Sequence, residues 1–374
     1  MSGTYIHIPF CKQACYYCNF HFSTLLKYKE PVLKAMLKEI AIKKDFTTDK
    51  NIETIYFGGG TPSLLTVCEI ESFINELSKY FDLSHVKEFT IEANPDDINL
   101  NYLKLLKTTP INRFSLGVQS FLQADLQWMN RAHNANQATN SIKLIQDAGF
   151  DNISIDLIYG TPNLTNNDWE NNLNIFFKTG VTHLSSYCLT VEPNTALHKL
   201  IKKQKYEQVD DEKAAQQFDI LMKMCLTNGF EHYEISNFAK NQMYALHNTN
   251  YWKGKHYIGI GPSAHSYNGN IRCWNIANNH QYINAINNNL SFFEEEKLSI
   301  QNKYNEYVMT QLRTQWGINE NYIEQEFGKD VLIKFQKIIS KFINNGLVIK
   351  NENIVLTNKG KYFADAIASE LFII

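Results

Sequence analysis

Short apolar runs alternate with amphipathic stretches along the first half of the chain. Tyr5–Ile8, Thr54–Phe57, Phe89–Ala93, Arg113–Val118, Ile153–Ile158 and His183–Thr190 are rich in β-branched or aromatic residues. They stop at Gly, Pro or Asn, which predicts strands. Between them Pro31–Lys44, Glu69–Phe81, Asn101–Lys107, Asn136–Ala148 and Asp168–Thr179 carry helical patterns. Alternating strands and helices imply right-handed crossovers and a parallel sheet. Six such units are too few for a full eight-stranded barrel. The expected α/β fold is therefore an open partial (β/α)6 barrel, closed on one side by whatever follows.

The second half reads differently. A long helix runs from about Asp210 to Gly229, and the aromatic, Asn-rich region from His232 to Asn289 has no clear period. Beyond it, Tyr304–Arg313, Glu320–Phe327 and Val331–Asn344 are helical patterns, Leu347–Leu356 is a hairpin, and Ala364–Leu371 is a last helix. That order resembles a winged-helix module. The expected division is residues 1–290 for the barrel and its extension, and 291–374 for the C-terminal winged-helix-like module. The wing has few basic residues, so packing is expected there rather than DNA binding.

Polar signals collect at the predicted strand ends. Cys11 follows the first strand and Gly58-Gly59-Gly60-Thr61-Pro62 the second; Glu92, Gln119, Asp156 and Tyr187 lie at the ends of the next four. In barrels of this kind those ends form the active-site face. A net charge of −2 over 374 residues argues against nucleic acid as a partner. No apolar run is long enough to span a bilayer, and no secretory leader is recognisable. Of seven cysteines, Cys68, Cys188, Cys225 and Cys273 are scattered singly, which fits a reducing cytoplasm.

The remaining three form Cys11-Lys-Gln-Ala-Cys15-Tyr-Tyr-Cys18. Thiolates at this spacing suit three corners of an iron–sulfur cube, with one iron left free of protein ligands. The alternative is zinc, with His7 or His21 as the fourth ligand. Gly59 and Gly60 allow close backbone approach to a ligand, or mark a tight turn.

CxxxCxxC after the first strand and GGGTP after the second resemble the radical S-adenosylmethionine superfamily. More narrowly, the whole chain is similar to the oxygen-independent coproporphyrinogen III oxidase family, and within it to the HemW haem-chaperone branch. The resemblance implies a radical-SAM barrel with a 4Fe-4S cluster on Cys11, Cys15 and Cys18. S-adenosylmethionine would chelate the open iron, and an electron from the reduced cluster would cleave its sulfonium. It also implies cofactor contacts from Tyr5, Tyr17, Gly59, Gly60, Thr61, Glu92, Gln119, Arg131 and Asp156. Gln119, Arg131 and Asp156 match residues that hold a second S-adenosylmethionine in decarboxylating relatives. Arg131 and Asp156 could instead pair with each other.

Three features separate the branches. The decarboxylases have a fourth cysteine where this chain has Phe20, and an extension before the cluster loop where this chain has ten residues. His247-Asn-Thr-Asn-Tyr251-Trp252 matches the HNxxYW motif of the haem-binding branch. The resemblance thus implies haem as cargo, contacted by His247, Tyr251 and Trp252, with His256 and His265 as rival iron ligands. An imidazole suits haem iron, and aromatic rings can wall a flat macrocycle. The implied partners are haem-requiring acceptor proteins, respiratory and membrane-bound ones among them, and an electron donor. The other activities compatible with these motifs are radical decarboxylation of coproporphyrinogen III and radical methyl transfer. No residue is assigned a catalytic role.

Overall fold

The structure is a computed structural model, and it describes Ser2–Ile373. Six parallel strands, β1 (Ser2–Ile8), β2 (Ile52–Gly59), β3 (Glu88–Ala93), β4 (Arg113–Gln119), β5 (Asn152–Tyr159) and β6 (His183–Cys188), lie side by side in chain order. Their near-continuous burial is that of strands covered on both faces. The crossover helices present apolar stripes to them. Val67–Ser78, for example, turns Ile70, Phe73 and Leu77 inward and starts two residues before the predicted Glu69, because Thr66 and Glu69 form a capping box.

The aperiodic region resolves into extra strands on both sheet edges. β7 (Glu231–Glu234) and β8 (Asn237–Ala239) add antiparallel strands beside β6. β9 (Tyr257–Ile260) joins β1 in parallel, and β10 (His265–Tyr267), β11 (Ile271–Asn275) and β12 (Phe293–Lys297) continue antiparallel. The result is one open sheet of twelve strands around the six-unit core. These strands are only three to five residues long, too short for a two-residue period to stand out.

A buried polar knot ties the extension to the core. Lys43 and Glu39, at the end of the helix Lys29–Ile42, ion-pair at 2.9 Å. Lys43 donates to the Gly259 carbonyl and to Asn275, while Glu39 accepts from the Gly261 amide, Asn275 and Tyr282. Every charge there is bonded, as burial demands.

The C-terminal helices Ile300–Leu312, Glu320–Phe327, Lys329–Asn344 and Ala364–Leu371 enclose a second core of Tyr304, Val308, Ile323, Phe335, Ile339 and Leu371. The hairpin of β13 (Val348–Lys350) and β14 (Ile354–Leu356) packs with them. Among the described residues no helix is long and apolar enough to cross a membrane.

Candidate functional site

The strand ends converge as the pattern predicts. The cluster-type loop leaves β1 and is pinned by backbone bonds on both sides of Tyr16, from its amide to Met129 O at 3.1 Å and from the Leu197 amide to its carbonyl at 2.7 Å. The three thiols are half-buried and none is in a disulfide. Burial pushes Cys11 up to about 12 and Cys18 up to about 11, so metal binding there displaces protons. Among the described residues no three His, Cys, Asp or Glu side chains converge on one metal-ion position. His7, moreover, is engaged at both nitrogens, with Tyr5 at 3.0 Å and the His21 carbonyl at 2.9 Å. His21, the other candidate fourth zinc ligand, bonds Asn279 Oδ1 through Nε2 at 2.8 Å.

Arg131 reaches into this loop. It donates to Asn94 and to the Gly117 carbonyl, both at 2.8 Å, and lies 3.4 Å from Cys15 Sγ and from the Tyr17 hydroxyl. Its Nε is buried without a partner. The alternative in which Arg131 pairs with Asp156 is not what the structure has. Asp156 accepts instead from Ser115 at 3.3 Å, because Asn94 and Gly117 hold the guanidinium on the loop side. Three soft donors beside a fixed cation with a spare N–H fit an anionic cluster and a carboxylate-bearing cofactor.

The glycine turn is demanded by packing. Gly59 has φ +109°, and a Cβ there would lie 2.7 Å from the His7 ring; one on Gly60 would lie 2.6 Å from Phe10 O. Thr61 accepts from Asn94 at 3.1 Å, tying the turn to β3. Glu92 accepts from the Tyr56 hydroxyl at 2.8 Å and the Gly59 amide at 3.0 Å. Burial pushes its carboxyl up to about 7, although both donors pull it down. Burial likewise lifts Asp156 to about 6. Gln119 ends β4 with φ +64°, a strained position for a residue with a Cβ.

The HNxxYW segment is the helix Leu246–Trp252, and its polar contacts are to Glu53, Thr54 and Glu88 at the starts of β2 and β3 rather than to the strand ends. His247 is buried. Its Nδ1 bonds Thr54 Oγ1 at 2.7 Å and its Nε2 bonds the Tyr251 hydroxyl at 2.7 Å. Burial pushes the imidazole down to about 3, so the ring is neutral. Glu88 caps this helix from the first position of β3, accepting from the Leu246 and His247 amides at 2.7 and 3.0 Å. Glu53 holds Asn250 at 3.2 Å and Lys255 at 2.6 Å.

The two ends of the barrel meet through aromatic rings. Tyr56, bonded to Glu92, stacks on His247 at 5.0 Å, and Tyr5 flanks both. A cavity of about 1740 Å³ runs from Tyr5, Gly59 and Glu92 past His247, Tyr251 and Trp252 to the helix Ile300–Leu312. His256 and the exposed His265 also line it. Its far wall belongs to the C-terminal helices, where Gln311 donates to the Trp252 carbonyl at 2.6 Å.

The radical SAM superfamily model matches residues 5–176, and the HemN C-terminal domain model matches 298–363. The heme chaperone HemW of Bacillus subtilis is 31% identical over 98% of this chain and 98% of its own length. The chain belongs to the HemW family. HemW of Lactococcus lactis is 32% identical, over 96% of this chain and 94% of its own. The coproporphyrinogen III oxidase HemN of Escherichia coli, a radical SAM enzyme, superposes with a TM-score of 0.85. It is 22% identical, over 99% of this chain and 89% of that one, which establishes a shared fold.

Sequence reasoning passed over Tyr56, Thr54, Glu53 and Glu88. The two glutamates carried a signal: each opens an apolar strand, and a carboxylate there has to find a partner. Asn94, two residues after Glu92, was passed over as well, although it joins Arg131 to Thr61.

Proposed function

We propose that this protein is a haem chaperone that holds haem in the large cavity and delivers it to haem-requiring proteins, respiratory ones among them, in the cytoplasm or at the membrane face. One observation carries the reading: a single cavity is lined both by the cofactor-type strand ends and by the HNxxYW helix. Its volume and its rings suit a flat, mostly apolar macrocycle.

Cys11, Cys15 and Cys18 would hold a 4Fe-4S cluster, which would supply one-electron chemistry to an S-adenosylmethionine bound beside it. The chain's own residues orient and shield. Gly59, Gly60 and Thr61 hold backbone at the strand-end turn. Arg131 sets a positive charge beside Cys15, and its free Nε–H can take a carboxylate oxygen. Glu92 offers a carboxyl whose charge an arriving cation would settle. Tyr5 lines the cavity, and Tyr17, Gln119 and Asp156 would serve the cofactor from beside it. Tyr56 passes the position of Glu92 to the His247 ring by stacking. Iron ligation by His247 Nε2 requires the Tyr251 hydroxyl to move first. His265 needs no such movement.

Anaerobic reconstitution followed by two assays tests this. Haem titration should give a Soret shift that weakens in His247→Ala. Incubation with coproporphyrinogen III and reductant should leave the propionates intact. Catalytic accumulation of the decarboxylated product would overturn the reading in favour of the oxidase, and a methylated tetrapyrrole in favour of the methyltransferase.

A further inference from the structure

Tyr257, Tyr267 and Arg272 stand in a cross-strand row. The register pairs Tyr257 with Tyr267 and Tyr267 with Arg272, so all three share one face of β9–β11, and all three line the cavity. The rings of Tyr251 and Tyr257 touch at 4.6 Å, and the Arg272 guanidinium lies 5.7 Å from the Tyr267 ring. An aromatic floor thus leads from the HNxxYW helix to a cation. Arg272 in turn forks onto Glu306, Nη1 to Oε1 and Nη2 to Oε2, each 2.8 Å. The pair is only partly covered, with side chains 32% and 22% exposed. Lys303, one turn earlier on the same helix face as Glu306, also lines the cavity. Its ammonium donates to the neutral Asn270 at 2.7 Å, and no carboxylate among the described residues pairs with it.

Resting on the haem reading, we propose that Arg272, with Lys303 beside it, is the carboxylate anchor of the cavity, recognising the propionate-type groups of a tetrapyrrole. Glu306 occupies the anchor when no cargo does. The fork of Arg272 on Glu306 is the geometry a guanidinium makes with any carboxylate. An arriving propionate offers the same group and exchanges one ion pair for another, and the tyrosine row receives the macrocycle behind it. The exchange also releases a contact between the sheet and the C-terminal helices, so loading loosens that wall.

Haem and its dimethyl ester, which has the same ring without the charges, separate anchor from packing. The unaltered protein, Arg272→Gln/Glu306→Gln, Glu306→Gln and Lys303→Gln are titrated with each and followed at the Soret band. The double variant should bind haem about tenfold more weakly while its affinity for the diester is unchanged. Lys303→Gln should show a smaller loss, again confined to haem, and Glu306→Gln alone should bind haem at least as tightly as the unaltered protein. Equal haem affinity in the double variant, or equal losses for haem and diester, would overturn the anchor and leave the chaperone reading standing. An unaltered protein that binds neither would overturn both.

Discussion

The loop Cys11–Cys18 and the helix Leu246–Trp252 both present chemistry-bearing side chains, and the fold treats them in opposite ways. The loop is tied down through its backbone, at Tyr16, while its thiols make only weak bonds: Cys15 with Arg131 at 3.4 Å, Cys11 with Thr61 and Cys18 with the Phe20 backbone. The helix has its histidine fully bonded: Thr54 and Tyr251 take both nitrogens of His247, and Glu88 and Glu53 hold its first amides and Asn250, although Thr249 Oγ1 and Asn250 Oδ1 stay buried without a partner. On the cluster reading, thiols held this weakly can exchange their partners for metal. A histidine bonded at both nitrogens offers no lone pair until something displaces a partner. The first is a standing site; the second is a conditional one.

Cys15→Ser breaks the contrast most sharply. On the cluster reading, anaerobically reconstituted protein should lose its broad iron–sulfur absorption and its iron, and persistence of both would reassign the ligands. Next in size is Glu88→Ala, which uncaps the helix and strips the buried Arg113 of its nearest carboxylate, 3.8 Å away. Its expected cost is about 3 kcal/mol in urea unfolding, with the midpoint shifted and the slope unchanged.

Glu92→Gln should show its effect as a pH dependence. The raised carboxyl favours the folded state while protonated. Its contribution is therefore fully present below the unfolded value near 4.5 and is lost as pH rises through about 7. The variant should gain on the unaltered protein between those limits, by about 1–2 kcal/mol at pH 8 after allowing for its partial exposure. A parallel pair of stability curves would refute the shift. Tyr251→Phe removes one bond to His247, worth about 1 kcal/mol, and frees Nε2. Haem titration should then show tighter binding with an imidazole-ligated spectrum, which Tyr251→Phe/His247→Ala should abolish. The smallest stability change belongs to Phe20→Ser. That ring is 68% exposed at the cavity, so unfolding should move by less than about 0.5 kcal/mol while haem dissociates faster.

How much of this was legible in the chain follows from the range of the interactions. The six βα units, the winged-helix-like tail and the thiol loop were readable because each is written in contiguous residues: a strand run, a helical stripe, three cysteines within one turn of chain. Glu320–Phe327 and Ala364–Leu371 appear with the bounds their patterns predict. The HNxxYW motif was readable as a motif, but its place was not. That His247 stacks on Tyr56, and through it reaches Glu92, depends on contacts about two hundred residues apart that no local pattern encodes. The short strands β7 to β12 were unreadable for the same reason. They are strands because β1 and β6 offer unpaired edges, and they become so only once those edges exist. Residue types and spacing determined which chemistry the chain carries. Tertiary structure decided which of those groups are free to act and which are already bonded, because a side chain's partner is set by what the fold brings beside it.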